Sequence, residues 1–127
     1  MPLHFRPDDK PVVEFDPQLE LSPFTLFRRL REGQDLVLID VRSEPRGWSL
    51  QGARQLPSPD WVPPEGQDVL LFDDDGTEAV TLTQALQAQG YPAVRALFGG
   101  LRLYEFSLDP EVVGEETFLR HLDADSS

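Results

Sequence analysis

The sequence predicts a single α/β domain built around a mainly parallel sheet. Residues 36–39 and 69–72 are continuous apolar runs, as expected of parallel strands that are covered on both faces. Segments with apolar residues at helical spacing alternate with these runs, which is the pattern of strand–helix–strand units. A chain of 127 residues is long enough for one domain with a core of its own, without disulfides or a structural metal.

The first helix is predicted after residue 22. Ser22 is a suitable N-cap, and Pro23 suits the first helical position. Phe27 and Leu30 then continue an apolar stripe, and Gly33 is a typical helix end. The first apolar run, which follows, is the first buried strand.

The second half repeats the alternation. The run at 69–72 predicts a strand, residues 77–89 a helix that ends at Gly90, and residues 93–97 a further strand. Short strands are expected at 12–15 and 53–56, and short helices at 101–106 and 110–122. We therefore divide the chain into an N-terminal arm with an edge strand (1–19), the domain proper (20–107), and a C-terminal helix and tail (108–127).

The composition excludes several classes of function. The chain has no cysteine, so it has no disulfide, no thiolate metal site and no cysteine nucleophile. Its net charge of −12 argues against binding to nucleic acid or to an anionic membrane surface. The sequence shows neither an apolar run of spanning length nor a signal peptide, so we expect a cytoplasmic protein.

The negative charge is concentrated in the second half. Residues 55–127 contain 14 acidic and three basic residues, whereas residues 1–54 are nearly balanced. Between residues 55 and 94 there is no Lys, Arg or His. A site within that stretch is therefore not expected to attract an anion with its own side chains.

Several short motifs, in order and at their spacing, resemble the landmarks of rhodanese-like domains. Residues 38–42 (LIDVR) resemble the end of an early strand in that family, and residues 50–53 (LQGA) resemble the later half of a second motif. The closing stretch is similar as well, with Gly90 and Tyr91, then Gly99 and Gly100, then a helix containing Tyr104. The resemblance covers roughly residues 20–107.

This resemblance implies a five-stranded, mainly parallel sheet flanked by helices. Active members transfer a sulfane sulfur through a cysteine that opens a loop after the central strand. Placing Gly76 on the glycine of that loop puts Asp73 where the cysteine belongs, Glu78 where an arginine is usual, and Ala79 where a serine is frequent. The degenerate loop comprises Asp73, Asp74, Asp75, Gly76, Thr77, Glu78 and Ala79.

The substitutions remove the chemistry of sulfur transfer. A carboxylate cannot carry a sulfane sulfur, and the four acids of the loop repel thiosulfate. We predict an inactive homologue without a cofactor, which serves as a binding, regulatory or structural module. Asp73, Asp75 and Glu78 are its candidate binding residues, for a basic protein partner or a cation. The simpler interpretation, which we favour for the carboxylates themselves, is that they cap the following helix.

The same segment also resembles the first motif of haloacid dehalogenases. That family's pattern makes Asp73 a nucleophile and Asp75 a general acid/base of a magnesium-dependent phosphatase. Only 50 residues follow Thr77, however, and the basic candidates after it are three arginines. The acidic pair at residues 115 and 116 falls in a predicted helix, where it cannot complete a metal site. The weaker form of this alternative is a cation-binding protein, in which Asp73 and Asp75 are weak candidate ligands of Mg²⁺ or Ca²⁺.

The remaining candidates are structural. Asp40 and Arg42 are predicted to form an ion pair at the end of a strand, and Gly99 and Gly100 are structural residues that close the strand at 93–97. His4 and His121 are expected to be solvated side chains, so no metal site is predicted.

Overall fold

The computed structural model describes residues 15–108, 110–114 and 117–122. Most of the predicted N-terminal arm, nearly all of the 12–15 strand, His4, the acidic pair at 115 and 116 and the tail from residue 123 lie outside them. In the described part, no helix is both long and apolar enough to cross a bilayer.

Four helices and seven strands make up the described chain. The strands are β1 (Glu20–Leu21), β2 (Val37–Asp40), β3 (Trp48–Leu50), β4 (Arg54–Gln55), β5 (Val69–Phe72), β6 (Val94–Leu97) and β7 (Leu119–His121). The helices are α1 (Pro23–Arg31), α2 (Thr77–Ala88), α3 (Gly100–Ser107) and α4 (Pro110–Val113).

The main sheet has five strands in the order β1-β6-β5-β2-β4, and every neighbouring pair is parallel. This confirms the predicted fold class, including the five-stranded sheet that the resemblance implied. Strand β5 lies at the centre, and Asp40 at the end of β2 is in register with Phe72 at the end of β5. The loops that follow β2 and β5 therefore leave the same edge of the sheet side by side.

Helices cover both faces of the sheet. Alternate strand residues point to opposite sides, so Leu70 packs with α1 and α3 while Leu71 packs with α2. Strand β5 is buried along its whole length. Both runs are apolar throughout because the sheet is covered on both faces, although Leu36 and Val37 at the start of the first run are partly exposed.

Local signals set the start of α1 as predicted. Ser22 accepts a hydrogen bond from the backbone N–H of Thr25 at 3.2 Å, and Pro23 occupies the first turn. The helix ends at Arg31, two residues before Gly33, whose φ of +71° is left-handed.

Two predictions are wrong in the same region of the fold. The helix predicted over 110–122 ends at Val113, and Leu119–His121 is a strand that pairs antiparallel with β3. Its partner strand is residues 48–50, for which the sequence pattern predicts no strand. The ribbon is favoured because Leu50 is completely buried against the core, where Leu119 also packs.

Candidate functional site

The candidate site lies where the loops after β2 and β5 meet. The loop of residues 73–79, which we call the acidic loop, runs from the end of the central strand into α2. Its position after the central strand is the one that the resemblance implied. Arg42, which follows β2, lies beside it.

The predicted ion pair between Asp40 and Arg42 is present, and both side chains are buried. Arg42 Nη2 lies 2.7 Å from Asp40 Oδ2, and Arg42 Nε lies 3.0 Å from Oδ1. The same guanidinium donates to the carbonyls of Arg46 and Trp48 and, through Nη1, to Asp74 Oδ1 at 2.9 Å. Arg42 thereby ties the acidic loop to the end of β2. Its hydrogen bonds to Asp40 raise the Arg42 pKa further, so this arginine stays charged.

Asp73 is buried and both of its carboxylate oxygens accept hydrogen bonds. The N–H of Gly76 donates to Oδ1 at 2.6 Å, and the N–H of Glu78 donates to Oδ2 at 2.8 Å. A longer contact of 3.4 Å joins the N–H of Ala79 to Oδ2. Burial raises the pKa of the Asp73 carboxyl above its ordinary value, against the lowering effect of these N–H groups. Asp73 therefore caps the start of α2, as the simpler interpretation of the loop predicts.

The other loop carboxylates are exposed to solvent. Asp75 accepts the N–H of Thr77 at 3.0 Å, which lowers the Asp75 pKa, and the charge of Arg102 lowers it further. Asp74 is 61% exposed although it binds Arg42. Glu78 stands exposed in the first turn of α2. Of the three predicted binding residues, Asp75 and Glu78 are accessible and Asp73 is not.

Gly99 and Gly100, at the start of α3, pack directly against the backbone of the acidic loop. The N–H groups of Leu101 and Arg102, at the start of α3, donate to the carbonyls of Asp73 and Asp74 at 2.8 and 3.0 Å. A Cβ on Gly100 would lie 2.4 Å from the carbonyl carbon of Asp74, and its φ of +65° also requires glycine. The structural role predicted for this position is explained by close backbone packing.

The acidic loop borders an open cleft of about 440 Å³, which we call the acidic mouth. Its charged lining comprises five carboxylates, Glu44, Asp73, Asp74, Asp75 and Glu78, and two guanidinium groups, Arg42 and Arg102. Both arginines come from outside residues 55–94, so that stretch contributes no cation to the cleft, as its composition predicts. Arg42 is already occupied by Asp40 and Asp74, and the acidic mouth retains an excess of negative charge.

The geometry disfavours the phosphatase alternative. An aspartate nucleophile needs a free carboxylate oxygen facing substrate, but both oxygens of Asp73 are bound to loop N–H groups and the residue is 3% exposed. Of the basic candidates, Arg102 reaches the cleft, whereas Arg95 donates to backbone carbonyls elsewhere. Among the described residues no three His, Cys, Asp or Glu side chains are grouped as a metal site.

Sequence reasoning missed two features of the site. The link between Arg42 and Asp74 spans 32 positions, although both loops could be placed at one edge of the sheet. The second is Glu20, which lines a neighbouring cleft that shares the acidic loop; it sits in the short edge strand β1, which carries no clear sequence signal. His121, predicted to be solvated, is half-buried on β7 with its ring edge-on to Trp48 at 4.9 Å.

Comparison with known proteins identifies the fold. No protein-family model matches the sequence, and no curated protein is detectably similar to it. Solved structures do match. A rhodanese-related protein from Thermoplasma volcanium superimposes with a TM-score of 0.59 at 14% identity, over 70% of this chain and 92% of that one.

Two further structures show the same similarity. Thiosulfate sulfurtransferase from Pseudomonas aeruginosa matches with a TM-score of 0.57 at 21% identity, over 82% of this chain but 20% of that one. A protein of unknown function from Rhodopseudomonas palustris, described as a possible tyrosine phosphatase, matches with a TM-score of 0.59 at 17% identity, over 70% and 80% of the two chains. At these identities the similarity shows the fold: this chain has the rhodanese-like fold and contains no cysteine.

Proposed function

We propose that this chain is a rhodanese-like domain that does not transfer sulfur and that serves as a binding module. The observation that carries the proposal is the state of Asp73. At the loop position where the family resemblance places the cysteine, this chain has a buried carboxylate whose oxygens both accept backbone N–H groups. Such a group is neither a polarisable nucleophile nor an accessible one.

The charge of the acidic mouth supports a basic ligand. Asp75 and Glu78, three positions apart, are both exposed, and the nearby Arg42 is neutralised by its two carboxylate partners. An anion such as thiosulfate would meet an excess of carboxylates, whereas a basic side chain or a cation would be attracted. The proposed ligand of the acidic mouth is therefore a basic segment of a protein partner, with a divalent cation as the simpler substitute.

Titration calorimetry with a peptide of four arginines tests this proposal. The wild-type chain is expected to bind the peptide, and Glu78→Gln to weaken binding by roughly threefold, since one exposed ion pair is lost. Glu65→Gln, an exposed acid outside the acidic mouth, is the matched control and should bind as the wild type does.

Melting in millimolar Ca²⁺ or Mg²⁺ distinguishes the two kinds of ligand. An ion that binds the acidic mouth of the folded state raises the melting temperature of the wild type more than that of Glu78→Gln. If neither the peptide nor either ion binds the wild-type chain, the acidic mouth is not a binding site and this part of the proposal is wrong.

A further inference from the structure

A second cleft borders the other side of the acidic loop, and unlike the acidic mouth it is mainly apolar. It encloses about 630 Å³, a size typical of ligand pockets. We call it the Phe106 groove; its apolar walls are Val80 of α2, Phe98 after β6, and Leu103 and Phe106 of α3. Asp75, Thr77 and Arg102 line both clefts, so the two openings are continuous around the loop.

Phe106 gives the groove an exposed aromatic rim. Its side chain is 85% exposed, the highest value among the large apolar residues of the described chain. An exposed ring beside an apolar cavity is characteristic of binding surfaces rather than of a scattered surface residue. Phe98, which also lines the groove, makes an edge-to-face contact with Phe15, with 5.4 Å between the ring centroids.

A buried carboxylate also lines the groove. Glu20 is 6% exposed, and it accepts one hydrogen bond, from the N–H of Asp16 at 3.0 Å. No cation is paired with it among the described residues. A carboxylate in an apolar cleft without a counter-ion costs free energy, and a cationic group brought by a ligand would recover part of that cost.

From these observations we infer that the Phe106 groove docks an extended segment of another protein that carries an apolar side chain next to an arginine or lysine. The apolar side chain fills the cavity against Phe106 and Leu103, and the basic group faces Glu20. The net charge of −12 repels a second copy of this chain and favours a basic partner. This inference rests on the proposed binding function but assigns it to a different cleft.

The test uses fluorescence anisotropy with a labelled peptide in which a leucine–phenylalanine pair is flanked by arginines on both sides. Phe106→Ser is expected to weaken binding by about tenfold or more, as truncation of an interface anchor does. Phe24→Ser is the matched control, because Phe24 is also exposed, at 55%, but lies on α1 outside the groove. It should change the affinity by less than about twofold.

Glu20→Gln tests the charge. The amide keeps an oxygen for the Asp16 N–H, so the strand is expected to remain folded. The variant should weaken the arginine-flanked peptide by about fivefold, as loss of a buried charge pairing does, and leave a version with serines in place of the arginines unchanged. Amide chemical shifts of the wild type, measured with the same peptide, should move at Val80, Gly99 and Leu103 whether or not either variant folds.

The outcomes separate this inference from the proposal for the acidic mouth. If Phe106→Ser and Glu20→Gln bind as the wild type does while Glu78→Gln is impaired, the groove is not the docking site and the acidic mouth is. If the wild type self-associates and Phe106→Ser does not, the occupant is a second copy and the inference is wrong. The inference is supported if groove variants impair binding of the arginine-flanked peptide and Glu78→Gln does not.

Discussion

Replacing Asp73 by alanine removes the carboxylate that organises the acidic loop. Two short hydrogen bonds disappear, from the N–H groups of Gly76 and Glu78, together with the longer one from Ala79. Bonds to a charged acceptor contribute about 1.5–3 kcal/mol each, so two of them set an upper bound of about 3–6 kcal/mol. Water entering from the open cleft, and relief of the buried charge, offset part of this. We expect a loss of about 2–4 kcal/mol.

Urea unfolding at neutral pH, with equal slopes required for comparison, measures this loss. Asp75→Ala is the matched control: it removes the same group two residues away, where an exposed carboxylate accepts the N–H of Thr77 at 3.0 Å. That change should cost about 0.5–1 kcal/mol. If Asp73→Ala costs no more than Asp75→Ala, the carboxylate of Asp73 does not hold the loop.

The stability difference between the wild type and Asp73→Ala, followed as a function of pH, gives a second check. Because burial raises the Asp73 pKa in the folded state, the folded chain binds this proton more tightly than the unfolded chain does. The destabilisation by ionised Asp73 is thus absent below about pH 4 and appears as pH rises through the raised pKa. The stability difference between wild type and Asp73→Ala should therefore increase on acidification from pH 7. A constant difference between pH 7 and 4 contradicts the raised pKa.

Three further substitutions test the packing around the site, each by chemical unfolding. Gly100→Ala should cost about 3–5 kcal/mol because its Cβ collides with the backbone of the acidic loop. Gly33→Ala, at a similar positive φ but in open space, should cost about 1–2 kcal/mol. Equal losses of stability in the two variants would exclude the collision. Tyr104→Phe should cost about 1–2 kcal/mol because it leaves the buried carbonyl of Thr117 without its donor, and an unchanged stability would contradict that hydrogen bond. Thr83→Val should stabilise the chain by about 1 kcal/mol, since its buried hydroxyl has no partner in the described part; a loss would reveal a hydrogen bond there.

The sequence was most informative where a single physical requirement dominates. A strand covered on both faces must be apolar throughout, so residues 69–72 identified the central strand, and Ser22 with Pro23 identified a helix start. The position of the acidic loop then followed from the topology of parallel sheets.

What could not be predicted depends on contacts between distant segments. Residues 119–121 are predicted from the sequence to be part of a helix. They instead pair with residues 48–50, because this two-stranded ribbon buries Leu50 against the core. The burial of Asp73 and the link from Arg42 to Asp74 depend on how closely two loops approach. Local sequence carries no measure of that distance, and for the same reason Glu20 gave no sign of its place in the Phe106 groove.

Formation of thiocyanate from thiosulfate and cyanide by the purified chain tests the central claim most directly. Asp73→Ala, purified identically, serves as the blank, because any contaminating sulfurtransferase would be present in both preparations. With no cysteine in the chain and the Asp73 carboxylate bound to backbone N–H groups, wild type and blank should show the same background rate. A rate well above background in the wild type that is lost in Asp73→Ala would show that this loop transfers sulfur after all.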